Sequence, residues 1–183
     1  AEVRRHLRGE IEVPGLHPSV ATVESLVVLH GNRIYKLAYH LTGSPVDAED
    51  ILQEVFLKIY RNWIHLSTRS NLAGWITRVV TNASIDLLRS RKTRGPSGGS
   101  EIIAQLPAPQ RSPDQAGQAR EVGEKLQASL ATLPPRQLAA LILFDHEELK
   151  AKEIGEILGI SDTAVRGYVF EARRKIRQQL ESY

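Results

Sequence analysis

The sequence predicts an all-α protein made of two small helical bundles joined by a flexible linker. Apolar residues recur three and four positions apart in several segments, as on the buried face of a helix, and no segment alternates as strands do. A stretch rich in glycine, serine and proline divides these segments into two groups. We therefore expect an N-terminal arm over residues 1–18, a first bundle over 19–92, a linker over 93–119 and a second bundle over 120–183.

The composition argues against several classes of protein. The chain has 183 residues, a net charge of +3 and no cysteine, so disulfides and cysteine-bound zinc are excluded. Its six histidines lack metal-ligand spacing, and nucleophile motifs and glycine-rich cofactor loops are missing. We expect no enzyme, metal, cofactor or small-molecule substrate. Without an apolar run near the roughly 20 residues that cross a bilayer, or a signal peptide, we expect a cytoplasmic protein with no membrane insertion.

The first bundle opens with apolar residues at helical spacing from Ser19 to Leu41, which predict one helix, or two that are separated near His30-Gly31-Asn32. Gly43 can then end a helix by adopting a positive φ. Ser44 is placed as the N-cap of the next helix and Pro45 as its first residue. A helix therefore begins here.

This second helix should run to about Arg61, and Asp47 would complete an acidic capping box with the N-cap serine. Its outward side carries a stripe of two acids, an amide and a leucine. The stripe consists of Asp50, Gln53, Glu54 and Leu57. On this helix alone, a stripe of this kind is more often a solvated face than an interface.

A further helix is predicted from Leu72 to about Lys92, after a polar connection over residues 62–70 and a cap by Ser70 or Asn71. Three of its side chains lie one turn apart and supply a stacking platform, a phosphate contact and a base-edge hydrogen bonder, as single-stranded nucleic acid requires. They are Trp75, Arg78 and Asn82. The alternative is a tryptophan at the core margin, with Asp86 paired to an arginine one turn away.

The second bundle ends in a helix-turn-helix pattern between Glu148 and Leu180. Gly159 breaks the helical period, Ile160 can fill the corner, and Ser161 or Asp162 can cap the second helix. The outward face of that helix is rich in arginine. It carries Asp162, Thr163, Arg166, Phe170, Arg173, Arg174 and Arg177. These residues favour DNA binding over the alternative, an ordinary helical hairpin whose basic end is solvated.

Four motifs in this order carry a resemblance to a known family. They are Leu41-Thr42-Gly43, residues 47–56 (DAEDILQEVF), residues 73–82 (AGWITRVVTN) and Leu133-Pro134-Pro135-Arg136-Gln137. Together they resemble bacterial RNA polymerase sigma factors of the sigma-70 family, and the two-domain form resembles the extracytoplasmic-function (ECF) group. The resemblance implies a factor that binds core polymerase, recognises and opens promoters, and is held inactive by an anti-sigma factor.

The resemblance assigns roles to three sets of residues. The acidic helix is similar to the sigma surface that docks on the polymerase β′ clamp coiled coil, which implicates Asp47, Asp50, Gln53, Glu54 and Leu57. The next helix and the loop before it resemble the part that reads the minus-ten element, which implicates His65, Ser67, Thr68, Arg69, Ser70, Trp75, Arg78, Asn82 and Arg89. The helix-turn-helix resembles the part that reads the minus-thirty-five element and touches the β flap, which implicates Ser161, Asp162, Thr163, Arg166, Phe170, Arg173, Arg174 and Arg177.

The chain departs from the family pattern at two places. Tyr168 and Glu171 stand where basic residues are usual in the recognition helix, and Glu148-Leu149-Lys150-Ala151 replaces the usual Gly-Leu-Ser-Tyr. Two other functions compete with that of a sigma factor. One is a sigma mimic that titrates an anti-sigma factor, and the other is a one-component helix-turn-helix regulator.

Overall fold

The computed structural model describes residues 20–68, 71–94 and 123–181, and the regular structure in these ranges is entirely helical. The helices are α1 (Val20–Thr42), α2 (Pro45–Arg61), α3 (Trp63–Ser67), α4 (Leu72–Arg94), α5 (residues 123–131), α6 (Pro135–Asp145), α7 (Ala151–Leu158) and α8 (Asp162–Glu181). The prediction of an all-α fold is confirmed. The N-terminal arm and residues 95–119 of the predicted linker lie outside the described residues.

Helix α1 is continuous through Gly31, so the first bundle has one opening helix rather than two. Gly31 is buried, and a Cβ at this position would approach Val27 Cγ1 no closer than 3.7 Å. Ile34, Leu37 and Ala38 follow on the buried face. The helix persists because its apolar stripe continues on both sides of the glycine, whose cost within a helix is only about 1 kcal/mol.

The glycine stop and the serine cap between α1 and α2 form as predicted, but the capping box does not, because Ser44 N–H donates to Thr42 Oγ1 at 3.3 Å and Asp47 accepts from Arg91 instead. Gly43 has a φ of 69°, and its N–H donates to Tyr39 O at 2.8 Å. Ser44 Oγ accepts from Asp47 N at 3.4 Å, and Pro45 is the first residue of α2. These caps satisfy backbone groups that would otherwise lack partners at the two helix ends.

The polar connection predicted over residues 62–70 is wrong for its first half, where α3 forms instead. Trp63 and Leu66 are buried at 2% and 3% exposure, and their burial holds the short helix against the bundle. Asn71 Oδ1 accepts from Gly74 N at 2.7 Å, so Asn71 caps α4. A Cβ on Gly74 would lie 2.6 Å from Asn71 Nδ2, and a glycine therefore leaves room for this cap.

The second bundle contains the predicted helix-turn-helix, formed by α7 and α8. Gly159 has a φ of 66°, the N–H of Ile160 donates to Gly155 O at 3.0 Å, and Ser161 Oγ accepts from Ala164 N at 3.1 Å. The cap of α8 is thus the serine rather than the aspartate beside it. Glu148, before α7, has a φ of 54° at the position where the family usually has glycine. A side chain there strains the backbone by roughly 1–2 kcal/mol.

The two bundles pack against each other. Helix α4 lies against α6 and α7, α1 lies against α6, and the buried apolar residues of both bundles form one continuous cluster. Lys92 Nζ, near the end of α4, donates to Leu133 O at 3.3 Å. This packing brings two predicted DNA-binding elements, α4 and the helix-turn-helix, to opposite sides of one interface.

Candidate nucleic-acid and partner interfaces

The stripe predicted on α2 is exposed and extends further than the sequence indicated. Asp50, Gln53 and Glu54 are exposed, and Leu57 is 52% exposed. Tyr60 continues the same helical spacing at 43% exposure, and Ile64, on α3 after the break at Asn62, is 49% exposed, although sequence reasoning included neither. We call these six residues the α2 ridge. Apolar side chains exposed together with acids are typical of a protein-binding surface.

Asp47 does not belong to this exposed surface. Its side chain is only 9% exposed, and Oδ1 accepts from Arg91 Nη2 at 2.6 Å. Its other oxygen, Oδ2, has no hydrogen-bond partner among the described residues. The predicted docking role of Asp47 is therefore corrected to a structural one, because the buried carboxylate links α2 to α4.

The row predicted on α4 has two exposed members and one half-buried member. Arg78 and Asn82 are exposed, whereas Trp75 is half-buried and packs against the core. Asp86 pairs with Arg89 at 3.8 Å. The packing of Trp75 and the Asp86–Arg89 pair match the alternative of a tryptophan at the core margin with a paired aspartate. The exposed side chains of Arg78 and Asn82 nevertheless remain accessible on the surface of the first bundle.

Two of the predicted residues before α4, His65 and Ser67, lie on α3, and Thr68 follows it. His65 and Thr68 are exposed, and Ser67 is half-buried. Ser67 Oγ donates to Ile64 O at 3.2 Å and Thr68 Oγ1 to His65 O at 3.4 Å, so both hydroxyls finish the last turn of α3. Arg69 and Ser70 lie outside the described residues.

All eight residues predicted to bind DNA on α8 and at its cap are exposed to solvent. Exposed side chains on it and at its cap are Ser161, Asp162, Thr163, Arg166, Phe170, Arg173, Arg174 and Arg177. Phe170 is 66% exposed, an unusual state for a large apolar side chain. Val165, Val169 and Ala172 are buried, and they hold this face outward. A helix with such a face can enter the major groove.

The charges on α8 are partly neutralised within the second bundle. Arg166 pairs with Asp162 at 3.5 Å, and Arg173 pairs with Asp145 and lies 5.6 Å above the Phe144 ring. Arg174 Nη2 lies 2.6 Å from Glu171 Oε2. These ion pairs are exposed, so each contributes little to stability and can exchange for a phosphate contact at small cost.

The two departures in the recognition helix are explained by local packing. Tyr168 is half-buried and packs against the core, and Glu171 is half-buried and paired with Arg174. Neither residue projects freely from α8. The partner of Glu171 is an arginine on its own helix.

Residues 20–68, 71–94 and 123–181 contain no group of three or more His, Asp or Glu side chains that could hold a metal ion. In the same ranges, each helix falls short of the combined length and apolar character needed to cross a membrane.

Comparisons with known proteins match both bundles. The family model for Sigma-70 region 2 matches residues 26–94, and that for Sigma-70, region 4 matches residues 123–176. The chain is 33% identical to the ECF RNA polymerase sigma factor SigE of Mycolicibacterium smegmatis, over 94% of this chain and 66% of that protein. It is 32% identical to the RNA polymerase sigma factor SigZ of Bacillus subtilis, over 78% of this chain and 77% of that protein.

Solved structures show the same fold. The sigma factor RpoE of Bartonella quintana, in complex with the anti-sigma factor NepR, superposes with a TM-score of 0.67 at 21% identity, covering 88% of this chain and 98% of that one. The extracytoplasmic function sigma factor SigJ of Mycobacterium tuberculosis gives a TM-score of 0.54 at 27% identity, covering 84% and 52%. The chain therefore belongs to the ECF group of the sigma-70 family and is a transcription initiation factor rather than an enzyme.

Proposed function

We propose that the chain binds core RNA polymerase through the α2 ridge, reads and opens promoters through α4 and α8, and is held inactive by an anti-sigma factor. The observation that carries this proposal is the exposure of two chemically different surfaces on one chain. The ridge is acidic and apolar, whereas α8 presents arginines and a phenylalanine. A protein that joined a polymerase to DNA would need both surfaces.

The proposed partner of the α2 ridge is the β′ clamp coiled coil. Asp50, Glu54 and Leu57 would contact it, with Tyr60 and Ile64 extending the apolar part. Glu54 pairs with Lys58 at 2.6 Å, an exposed pair that can open when a basic partner approaches. Buried apolar contacts would supply affinity, and the acids would select a basic surface and steer its approach.

The proposed ligand of α4 is the separated non-template strand of the minus-ten element. Arg78 would bind phosphate, Asn82 would bond to a base edge, and the partly exposed ring of Trp75 would stack on a base. Arg89, His65, Ser67 and Thr68 would extend this surface, together with Arg69 and Ser70 from the chain outside the described residues. Stacking gives an unpaired base a new partner and so lowers the cost of melting.

The proposed ligand of α8 is the duplex minus-thirty-five element, with the β flap touching the same bundle. Ser161, Asp162 and Thr163 lie at the N-terminal end of the helix, where recognition helices meet base edges. Phe170 would make an apolar contact in the groove, and the arginines would bind phosphates or guanines.

An anti-sigma factor would keep the chain inactive by covering these surfaces. Among solved structures with this fold, RpoE is in complex with the anti-sigma factor NepR, and CnrH is in complex with the cytosolic domain of CnrY. We infer that this chain works in the cytoplasm, where the polymerase is, and that a membrane-bound anti-sigma factor would hold it at the membrane.

The double substitution Asp50→Lys with Glu54→Lys tests the docking surface. Two reversed charges on the α2 ridge should weaken binding to purified core polymerase by at least about tenfold, because they place like charges against a basic partner. Glu24→Lys with Glu181→Lys makes the same charge change at exposed positions away from the ridge and should leave binding intact. Equal affinity of the folded ridge variant and the wild type would refute the assignment.

A further inference from the structure

The contact between the two bundles occupies Arg78, a residue that the proposed function assigns to promoter DNA. The Arg78 guanidinium donates to the backbone carbonyl of Glu156 in α7, the first helix of the helix-turn-helix. A nucleic-acid strand cannot approach Arg78 from that side while α7 lies within hydrogen-bonding distance. One interface therefore involves a minus-ten residue and the minus-thirty-five module together.

The same interface contains a charged bridge beside this contact. Arg33 on α1 donates to Glu147 Oε2 at 2.9 Å from Nη2 and at 3.2 Å from Nε, and its Nη2 also lies 3.2 Å from Thr77 Oγ1 on α4. The Glu147 side chain is only 11% exposed, so removing this partner would leave a nearly buried carboxyl group without its ion pair. Arg33 thereby ties α1 and α4 to the segment that follows α6.

Two histidines from different bundles meet next to the bridge. The rings of His40 and His146 have centroids 3.9 Å apart, and His146 Nδ1 lies 3.6 Å from Glu147 Oε1. Tyr39 packs edge-on against His40 at 6.0 Å. Two positively charged rings at this distance would repel each other, so the contact disfavours a charge on His40.

Promoter geometry makes this packed arrangement inactive. Elements centred about 25 base pairs apart lie roughly 85 Å apart along B-DNA. Helix α4 and the helix-turn-helix touch through Arg78 and Glu156, so they cannot reach both elements until the interface separates. The arrangement is a closed state that must open before the chain can bridge a promoter.

We propose that the free chain is autoinhibited by this closed state, that the Arg33–Glu147 bridge and the Arg78 contact hold it, and that acidification opens it through the His40–His146 pair. The inhibitory effect of closure rests on the proposed promoter function. Closure itself is a property of the isolated chain and is measured without polymerase or DNA.

The direction of the pH effect follows from the surroundings of His40. Burial lowers the pKa of His40 below its usual 6.5, His146 and Lys36 lower this pKa further, and Glu147 opposes them. The open state therefore binds protons more readily than the closed state. The contribution of neutral His40 to the stability of the closed state is fully present above about pH 6.5, and it is lost as the pH falls through the lowered pKa of this residue.

Energy transfer between two dyes measures closure directly. The chain has no cysteine, so Glu49→Cys on α2 and Ala131→Cys at the end of α5 provide the sole labelling sites. Glu147→Gln should raise the ratio of open to closed chains about tenfold, because it leaves Arg33 with a neutral partner. Glu148→Gln is the matched control, since it removes the same charge from the next residue, which is exposed, and it should behave like the wild type. Low transfer in the wild type, or equal transfer in both variants, would overturn the proposal.

A titration of the same labelled chain tests the histidine pair. Transfer in the wild type should fall as the pH drops below about 6.5, and His40→Gln should remove most of that change. His30→Gln is the control, because the pKa of His30 is also lowered by burial and by Arg33 although its ring is not in the pair. A His40→Gln chain that titrates like the wild type would exclude the pair as the sensor.

Initiation assays with core polymerase test inhibition separately from closure. At limiting chain concentration, Glu147→Gln should start more transcripts than the wild type, whereas Glu148→Gln should not. A variant that opens by energy transfer without gaining initiation would refute autoinhibition. A wild type that supports no initiation at any concentration would refute the proposed function, and energy transfer would still decide whether the closed state exists.

Discussion

Gly155 is the residue on which the corner of the helix-turn-helix depends most closely. A Cβ at this position would lie 2.6 Å from the carbonyl oxygen of Ile160, and this backbone atom has little freedom to move. Gly155→Ala should therefore lower the free energy of unfolding by about 1–3 kcal/mol, as overpacked sites do. Urea denaturation followed by circular dichroism measures the change.

Gly167 provides the control for this substitution. A Cβ on Gly167 would have no neighbour within 4 Å among the described residues, although the residue also lies within a helix. Gly167→Ala should stabilise α8 by about 0.5–1 kcal/mol, because alanine favours helix and no contact opposes it. Equal effects of the two alanines would contradict the close approach at the corner.

Trp75 and Asn82 test the assignment of α4 to promoter opening. Trp75→Ala and Asn82→Ala should spare core binding and slow the opening of the start region, because each removes a contact made with the separated strand. Asn82 is exposed, so Asn82→Ala should leave the free energy of unfolding nearly unchanged, which separates function from stability. Permanganate reactivity of unpaired thymines on a promoter fragment gives the readout. Reactivity equal to that of the wild type would reject the assignment.

The link between α2 and α4 is a buried ion pair rather than part of the docking surface. Asp47 is nearly inaccessible, whereas Arg91 stays 42% exposed and would remain solvated without its partner. Asp47→Asn should therefore cost only about 1–2 kcal/mol of stability. The folded variant should bind core polymerase as the wild type does. A large loss of affinity without a loss of stability would return Asp47 to the interface.

Most helices were predictable because their sequence signals are local. The start of α2 depends on Gly43, Ser44 and Pro45, which act on adjacent backbone groups. Helix α3 was missed because a five-residue helix gives too few apolar positions for a period. Its two anchors, Trp63 and Leu66, are recognisable only once their burial against the bundle is known.

The candidate sites were predictable to different extents. The outward faces of α2 and α8 follow from helical periodicity, and Tyr60 continues the spacing of Leu57 closely enough to have been found, whereas Ile64 lies on α3, which the sequence did not predict. The burial of Asp47 was not predictable, because its partner Arg91 lies 44 residues away. A charged residue in a first helical turn has the same local signature whether it is solvated or paired across the bundle.

For the whole molecule, the sequence indicated two units but not their contact. The pairs Arg33–Glu147 and Arg78–Glu156 join residues that are 114 and 78 positions apart. Such contacts depend on the packing of finished bundles. They also decide what the free molecule can do, since a closed chain does not reach two distant promoter elements.

Run-off transcription tests the central claim most directly. The purified chain is added to bacterial core polymerase on fragmented genomic DNA from the source organism, and the transcript starts are mapped. An active sigma factor should give new, discrete starts that share two upstream elements at constant spacing, and the starts should disappear when the Asp50→Lys, Glu54→Lys variant replaces the wild type. A wild-type chain that neither binds the core enzyme nor produces starts would contradict the claim and favour a sigma mimic.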